Sequence, residues 1–267
     1  MDPSKHLIKP ARNIDLRELS TDETEDMTKP EGKEQLEALT ERLVELQNVF
    51  YADGSRALLV VLQGMDTSGK DGVIKDVFGP LNAQGCHVDS FKVPAGAETR
   101  HDYLWRVHAK CPEKGMIGVF NRSHYEDIGV VRVHNYVPPD IWNNRYRHIR
   151  EFERMLVEEG TIIRKFFLHI SKDEQQERLE ARLADPNKRW KFDPKDVEER
   201  KLWDAYQEAY SEAIGATSTK YAPWHVVPAD HKWYRNLVVA TVMVQTLGAL
   251  NLEYPTPDFD PKKIKVV

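Results

Sequence analysis

An unbroken apolar run, ALLVVLQG at residues 57–64, leads directly into the pattern G-x-x-x-x-G-K at residues 64–70. A short continuous apolar run that ends in glycine is typical of a parallel strand buried on both faces. The residues that follow the loop, 73–82, are typical of a short helix. A strand, a glycine-rich loop and a helix in this order aim backbone N–H groups at an anion. The pattern therefore predicts a phosphate loop; the alternative is a glycine-rich turn with a surface lysine.

Strand-like and helix-like segments alternate along the rest of the chain. Further strands are predicted at 87–93, 116–120, 161–170 and 224–230, and helices at 33–51, 97–109, 140–159, 172–183, 197–214 and 232–247. This alternation predicts an α/β fold with a doubly wound, P-loop kinase-like parallel sheet flanked by helices. We predict a polar N-terminal arm over residues 1–32, lying on the surface or on a partner subunit. Residues 33–267 form a single domain, with a helical, basic lid at about 178–213.

Composition excludes several classes of protein. The chain has 267 residues, and its 38 basic and 43 acidic residues give a net charge of −5, which argues against a general nucleic-acid-binding protein. No segment approaches the roughly eighteen apolar residues of a membrane helix, and the first residues do not resemble a secretory signal. Two cysteines, Cys86 and Cys111, are too few for a disulfide framework. We therefore expect a cytoplasmic protein without a membrane partner, in which both cysteines are packing residues.

The phosphate loop carries two acids that a simple anion site would not need. Gly64, Thr67, Ser68, Gly69 and Lys70 are the candidate phosphate ligands of this loop. Asp71 stands where Ser or Thr usually helps to hold Mg²⁺, and Asp66 lies inside the loop. Because carboxylates repel phosphate unless a cation lies between them, we predict Mg²⁺ or Mn²⁺ bound by Asp66. Asp71 then has three possible roles. It is an indirect partner of the metal, a partner of Lys70, or an acid that stabilises a helix N-terminus.

A second polar motif, NRSHYED at residues 121–127, follows the predicted strand 116–120. Asn121 occupies the position where an acid usually meets the metal in P-loop enzymes, which leaves Asp66 as the main ligand. Arg122 is placed to contact phosphate and to stabilise charge during transfer, unless it forms an ordinary ion pair. Glu126 and Asp127 are candidates to orient or deprotonate an acceptor, and the alternative is a solvated helix start.

The predicted lid is dense in cations. They are Arg178, Arg182, Lys188, Arg189, Lys191, Lys195, Arg200 and Lys201, with Trp190 and Phe192 among them. Interleaved acids make an ordinary solvated face the alternative. Residues 188–191, however, hold three cations and an aromatic residue without an acid, in a loop after a helix, where kinase lids occur. We therefore predict that this segment contacts phosphate.

Several of these motifs together resemble the polyphosphate kinase 2 family. They are GMDTSGKDG at 64–72, the stretch 94–108, FNRSHYED at 120–127 with GVVRVH at 129–134, and the lid segment 188–210. The resemblance spans roughly residues 35–255 and the motifs occur in the family's order. It implies a P-loop kinase core with a helical lid, polyphosphate as donor, a nucleotide as acceptor, Mg²⁺ dependence and homo-oligomers, either tetramers or dimers.

By position, the resemblance implies a catalytic set made of Asp66, Lys70, Arg122 and lid cations such as Arg182 or Arg189. Asn121 replaces the Asp of many relatives and resembles the subgroup that accepts both AMP and ADP. The expected reaction is a reversible, direct transfer of the terminal phosphate of polyphosphate to AMP or ADP. In residues 94–108, the cations Arg100, His101, Arg106 and His108 either line the acceptor site or belong to a packed helix.

Two other functions remain open from the sequence. An ATP-dependent nucleoside monophosphate kinase would share the core and the lid. A non-catalytic binder of polyphosphate or nucleic acid would use the same cations without turnover. The cation cluster at 188–191 favours a long polyanion over ATP, and the acidic net charge disfavours nucleic acid.

Overall fold

The computed structural model describes residues 1–10 and 12–266; Ala11 in the predicted arm and Val267 at the end of the predicted domain lie outside the described residues. Five parallel strands form one sheet in the order β2-β3-β1-β4-β5. Their bounds are Ala57–Gln63 (β1), Cys86–Ser90 (β2), Ile117–Asn121 (β3), Thr161–His169 (β4) and Trp224–Pro228 (β5). The predicted α/β fold with a parallel sheet is confirmed.

Helices cover both faces of the sheet. They are Lys29–Asp53 (α1), Lys70–Val73 (α2), Trp105–His108 (α3), Gly129–Val133 (α4), Pro139–Glu158 (α5), Lys172–Ala184 (α6), Pro194–Lys201 (α7), Trp203–Thr217 (α8) and Lys232–Gly248 (α9). A π-helical turn, Ile74–Phe78, continues α2. Among the described residues, no helix combines the length and the apolar character that crossing a bilayer requires.

The central strand β1 is buried along its whole length, as its apolar run predicts. It pairs with β3 on one side and β4 on the other, so that Leu62 lies opposite Asn121 and Phe166. Because all strands run the same way, their carboxyl ends meet at one edge of the sheet. The loop after β1 and the motif after β3 therefore emerge side by side.

Some helix bounds differ from the prediction for local reasons. The first helix begins at Lys29 because Thr28 and Glu31 form a capping box before it. The predicted helix 97–109 divides into a 3₁₀ turn, Gly96–Arg100, and the short α3, because Asp102 accepts the Leu104 N–H between them. Asp193 caps α7 at Pro194, so this helix begins three residues before the helix predicted over 197–214. The short helix α4 was missed.

The N-terminal residues pack on their own chain. Leu7 forms an antiparallel bridge with His225, and the Ile8 N–H donates to the Trp224 carbonyl at 2.9 Å. Leu16 is fully buried, and its N–H donates to Ser211 Oγ at 3.0 Å. This segment therefore covers the outer edge of β5, which would otherwise expose unpaired backbone groups. The predicted arm thus contacts its own chain; its predicted contact with a partner subunit stays a prediction.

Both cysteines are partly buried against the hydrophobic core, as the packing interpretation predicts. Burial raises the pKa of the Cys86 thiol to about 11. The thiol is therefore protonated at neutral pH, and a reactive thiolate is disfavoured.

Candidate active site

A cavity of about 600 Å³ opens at the carboxyl edge of the sheet. The residues predicted from sequence that line it are Asp66, Thr67, Gly69, Lys70, Asp71, Asn121, Arg122, Arg182 and Lys191. They come from three separate parts of the chain: the loop after β1, the motif after β3, and the lid segment α6–α7. The fold therefore gathers the predicted phosphate loop, second motif and lid around one cleft.

The loop glycines are required by how closely the backbone passes its neighbours. Gly64 has φ +151°, and a Cβ there would lie 2.6 Å from the Leu168 carbonyl oxygen at the end of β4. Gly69 has φ +101°, and a Cβ there would overlap the guanidinium of Arg235. Thr67 also adopts a left-handed conformation, with φ +64°. The loop thus wraps tightly enough for backbone N–H groups to converge on an anion.

Lys70 lies inside this loop. Its Nζ donates to the carbonyls of Gly64 at 2.7 Å and Met65 at 3.1 Å. Burial, with a smaller contribution from the nearby Arg122, lowers the pKa of the Lys70 ammonium to about 8. A phosphate in the loop would favour the charged ammonium and raise this pKa again.

Arg122 joins the second motif to the loop. Its Nη2 donates to Asp66 Oδ1 at 2.8 Å, and its Nη1 lies 3.7 Å from Glu126 Oε2. Gln63 in turn donates to Glu126 at 2.7 Å, which holds that carboxylate behind Arg122. Burial acts to lower the pKa of Arg122, but Glu126 and Asp66 outweigh burial and raise it. The guanidinium therefore stays charged beside the loop, and Glu126 acts on it rather than facing the cleft.

Asp71 spans the mouth of the cleft. Asn121 Nδ2 donates to its Oδ1 at 3.0 Å, and Lys191 Nζ lies 3.3 Å from its Oδ2. Burial raises the pKa of Asp71, but the bonds from Asn121 and Lys191 outweigh burial and lower it. Asp71 lies in the first turn of α2, as the helix N-terminus alternative predicts. Its bridge between the motif after β3 and the lid was not among the predicted alternatives.

The lid side chains that line the cleft are not all the ones predicted to do so. Arg182 lines the cleft and lies 3.7 Å from Asp196, which lines it too. In the described structure, Lys188 instead pairs with Asp185 at 2.8 Å, and Arg189 donates to the Leu183 carbonyl at 2.7 Å, both outside the cavity wall. Those two predicted phosphate contacts are therefore not supported by the structure. Of the predicted segment 188–191, Trp190 and Lys191 are the residues that line the cleft.

Arg178 lies behind the phosphate loop rather than in the cleft. It donates to the Thr67 carbonyl at 2.8 Å and to the Ala229 carbonyl at 2.6 Å, and it pairs with Glu174 at 2.6 Å. Its guanidinium is thus occupied by the backbone of the loop. The predicted phosphate contact is replaced by a supporting role, because α6 starts beneath the loop.

Asp127 is buried away from the cleft. It lies 3.7 Å from both Arg106 and Arg145. Burial raises the pKa of its carboxyl to about 6, in spite of these two cations. Arg106 also donates to the Lys92 carbonyl at 2.6 Å, so this group of charges braces the segment after β2. The structure thus argues against the predicted nucleotide contact of Asp127.

A fully buried ion pair supports the second motif from below. Lys165 on β4 and Glu153 on α5 lie 2.6 Å apart, and both side chains are inaccessible to solvent. Tyr125 donates to Glu153 at 2.7 Å, and His124 Nε2 lies 3.4 Å from it. Burial raises the pKa of Glu153, but Lys165 and His124 outweigh burial and lower it. His124 is therefore a buried packing residue, and the motif rests on a rigid polar network.

The residues of the cleft fit a hard divalent cation. Asp66, Asp71 and Asp196 supply carboxylate oxygens and Asn121 an amide oxygen. Within residues 1–10 and 12–266, no group of three or more His, Cys, Asp and Glu side chains is arranged to hold a metal by itself. A small cation here would therefore need water and substrate phosphate oxygens as further ligands, which is the usual coordination of Mg²⁺.

Comparisons with known proteins identify the family of this chain. A protein-family model described as Polyphosphate kinase 2 matches residues 26–255. The chain is 52% identical over 264 residues to the AMP/ADP-polyphosphate phosphotransferase of Meiothermus ruber, covering 98% of this chain and 99% of the relative. It is 46% identical over 238 residues to the ADP-polyphosphate phosphotransferase of Rhodopseudomonas palustris, covering 83% and 81%. The crystal structure of polyphosphate kinase 2 from Arthrobacter aurescens TC1 superposes with a TM-score of 0.95, at 42% identity and over 98% and 94% of the two chains.

Proposed function

This chain belongs to the polyphosphate kinase 2 family, and from that premise we propose that it transfers the terminal phosphate of inorganic polyphosphate to AMP and ADP. The observation that carries the proposal is the single cleft that joins Lys70 and Arg122 to the lid residues Arg182 and Lys191. Cations lie on the floor and on the lid of this cleft, and they outnumber the carboxylates that line it by five to three. A long polyanion and a nucleotide phosphate can therefore meet there end to end.

The reaction is a direct exchange of phosphoanhydride bonds. A nucleotide phosphate oxygen attacks the terminal phosphorus of polyphosphate, a new P–O bond forms, and the bond to the next phosphate breaks. The shortened polyphosphate leaves with the electron pair. With AMP the product is ADP, and a second transfer to ADP gives ATP. The reaction is reversible because the broken and formed bonds are of the same kind.

The residues of the chain act by positioning and electrostatics. Backbone N–H groups of the loop and Lys70 hold the transferred phosphate. Arg122, fixed by Asp66 and Glu126, stabilises the charge that spreads over its oxygens. Arg182 covers the same oxygens from the lid. The buried Thr67 hydroxyl, for which the described residues provide no hydrogen-bond partner, is a further donor in the loop.

We propose Mg²⁺, or Mn²⁺ in its place, as the cofactor, held by Asp66 with Asp71 and Asp196 nearby. When bound, such an ion would neutralise phosphate charge and act as a Lewis acid toward the transferred phosphate. Among the described residues, Arg122 donates to Oδ1 of Asp66. The second carboxylate oxygen, Oδ2, is therefore available to bind the ion. Asn121 adds no negative charge beside it.

Homo-oligomeric assembly as a tetramer or dimer and a cytoplasmic location are further proposals, which rest on family resemblance and composition. Light scattering of the purified chain would test the assembly: a monomeric mass at working concentration would reject it.

One assay separates the proposed activity from its rivals. The protein is incubated with AMP, Mg²⁺ and polyphosphate, without ATP. We expect ADP and then ATP, with matching loss of polyphosphate. An ATP-dependent monophosphate kinase would form no ADP under these conditions. A non-catalytic binder would bind polyphosphate and turn nothing over, whereas Lys70→Ala should abolish turnover in an enzyme.

A further inference from the structure

We propose that Trp190 of the lid and Val93 after β2 form a subsite that stacks the base of the acceptor nucleotide. The inference deepens the proposed function and rests on it, because it assigns a place to the base of AMP or ADP. The phosphate of that nucleotide would lie further in, at Lys70 and Arg122.

Two large apolar side chains are exposed at the same cleft. Trp190 is 77% exposed and Val93 is 87% exposed, and both line the cavity that contains Lys70. Single exposed apolar residues are ordinary on protein surfaces. Their position here is not ordinary, because polyphosphate is anionic on every side and offers an indole no apolar surface. A nucleobase offers a flat π-face of suitable size.

A neighbouring ammonium contacts the indole. Lys191 Nζ lies 5.1 Å from the centroid of the Trp190 ring, within the range of a cation–π contact. The same ammonium pairs with Asp71 Oδ2 at 3.3 Å, and Asp71 belongs to the phosphate loop. The loop is thus linked through Lys191 to the indole.

The dimensions of the cleft fit this assignment. Its volume of about 600 Å³ lies within the usual range of small-ligand sites. Phe91 and Val93 approach from the strand side, and Trp190 approaches from the lid. A base between these walls leaves the ribose and phosphate directed toward the loop. Closing the lid would then bring Trp190 and Arg182 onto the nucleotide together.

The test compares a ligand that has a base with one that lacks it. Binding of AMP and of ribose 5-phosphate is measured by titration calorimetry with Mg²⁺ and without polyphosphate, for wild type, Trp190→Leu and Trp190→Phe. We expect Trp190→Leu to weaken AMP binding by about 5- to 100-fold, the usual range for loss of one base–aromatic stack. Ribose 5-phosphate binding should change by less than about twofold. Trp190→Phe should restore most of the affinity for AMP.

A matched control is Tyr254→Leu, which removes an aromatic side chain that is 63% exposed and lies outside the cleft. It should alter neither ligand. Equal losses of AMP and ribose 5-phosphate in Trp190→Leu would overturn the proposal, because the indole would then order the lid or the phosphates. Unchanged AMP binding, or no AMP binding by wild type, would also overturn it.

The binding measurement does not depend on turnover. A wild-type protein that binds AMP through Trp190 but forms no ADP from polyphosphate would contradict the proposed function and leave the subsite standing. Conversely, if Trp190→Leu raises the KM for polyphosphate and leaves AMP binding intact, the indole belongs to the donor path and the subsite is rejected.

Discussion

The Arg122 guanidinium donates to the Asp66 carboxylate at 2.8 Å, across the gap between the loop after β1 and the motif after β3. Arg122 has φ +62°, a left-handed conformation that is uncommon outside glycine. This backbone turns the side chain toward the loop, and the Leu62 carbonyl accepts the Arg122 N–H at 3.0 Å. A charge-stabilising group is thus held in place before substrate binds, which is the condition for electrostatic catalysis.

Replacing Arg122 should therefore affect the chemical step more than binding. We expect Arg122→Ala to lower kcat by about 10²- to 10³-fold, as is typical for loss of one preorganised donor to a transition state. Arg122→Lys should recover only part of this, since lysine lacks the planar fork. Steady-state kinetics with AMP and polyphosphate measure the effect. Arg147→Ala, at an exposed arginine on α5, is the control, and an equally impaired control would refute the assignment.

The pKa of Lys70 predicts a basic limb in the pH profile. Below pH 8 the ammonium is charged and attracts phosphate; as pH rises through about 8 it loses its proton in the free enzyme. We therefore expect kcat/KM to fall tenfold per pH unit above that value. Bound phosphate raises the pKa, so the limb in kcat should lie at higher pH. A kcat/KM that stays constant to pH 9.5 or beyond would contradict a role for the charged lysine.

Arg178 and Arg182 lie one helical turn apart on α6, but we expect their substitution to have different effects. Arg178→Met leaves the Thr67 and Ala229 carbonyls without their donor and should lower the free energy of unfolding by about 1–3 kcal/mol. Arg182→Met should leave unfolding nearly unchanged and lower kcat/KM for polyphosphate. Denaturant titration and kinetics on both variants give the comparison. The reverse pattern would place Arg178 in the cleft.

Gly69 is predicted to tolerate no side chain. Gly69→Ala combines a φ of +101° with overlap of the new Cβ and the Arg235 guanidinium, so phosphate binding should be lost or the loop displaced. Gly248→Ala is the matched control, because no atom lies within 4 Å of a Cβ there. It should alter the melting temperature and activity little. Full activity in Gly69→Ala would show that the loop does not hold its conformation in solution.

The buried Lys165–Glu153 pair predicts a strongly non-additive effect. Glu153→Gln removes the counter-charge of a fully buried ammonium and should cost about 3–5 kcal/mol of unfolding free energy. The double variant Glu153→Leu with Lys165→Met removes both charges and should recover much of that loss. A double-mutant cycle by chemical denaturation measures the coupling. Additive losses would mean that the two side chains do not interact in solution.

The local sequence was sufficient for the sheet, the loop and the second motif. An apolar run followed by glycines has few alternatives to a buried strand and an anion loop, so β1 and residues 64–70 were predictable. Periodicity likewise located α5, α6 and α9 to within a few residues. Short helices such as α4 were missed, because one turn carries no readable period.

The tertiary structure alone decided which charges face the cleft. The predicted lid contains five basic residues of similar appearance in the sequence: Arg178, Arg182, Lys188, Arg189 and Lys191. Of these five, Arg182 and Lys191 line the cavity. The sequence pattern does not distinguish Asp196 from the other acids of the lid, and it assigns no separate role to Trp190. Sequence patterns report residue type and spacing along one element, whereas the direction of a side chain depends on helix starts, caps and neighbouring carbonyls from distant parts of the chain.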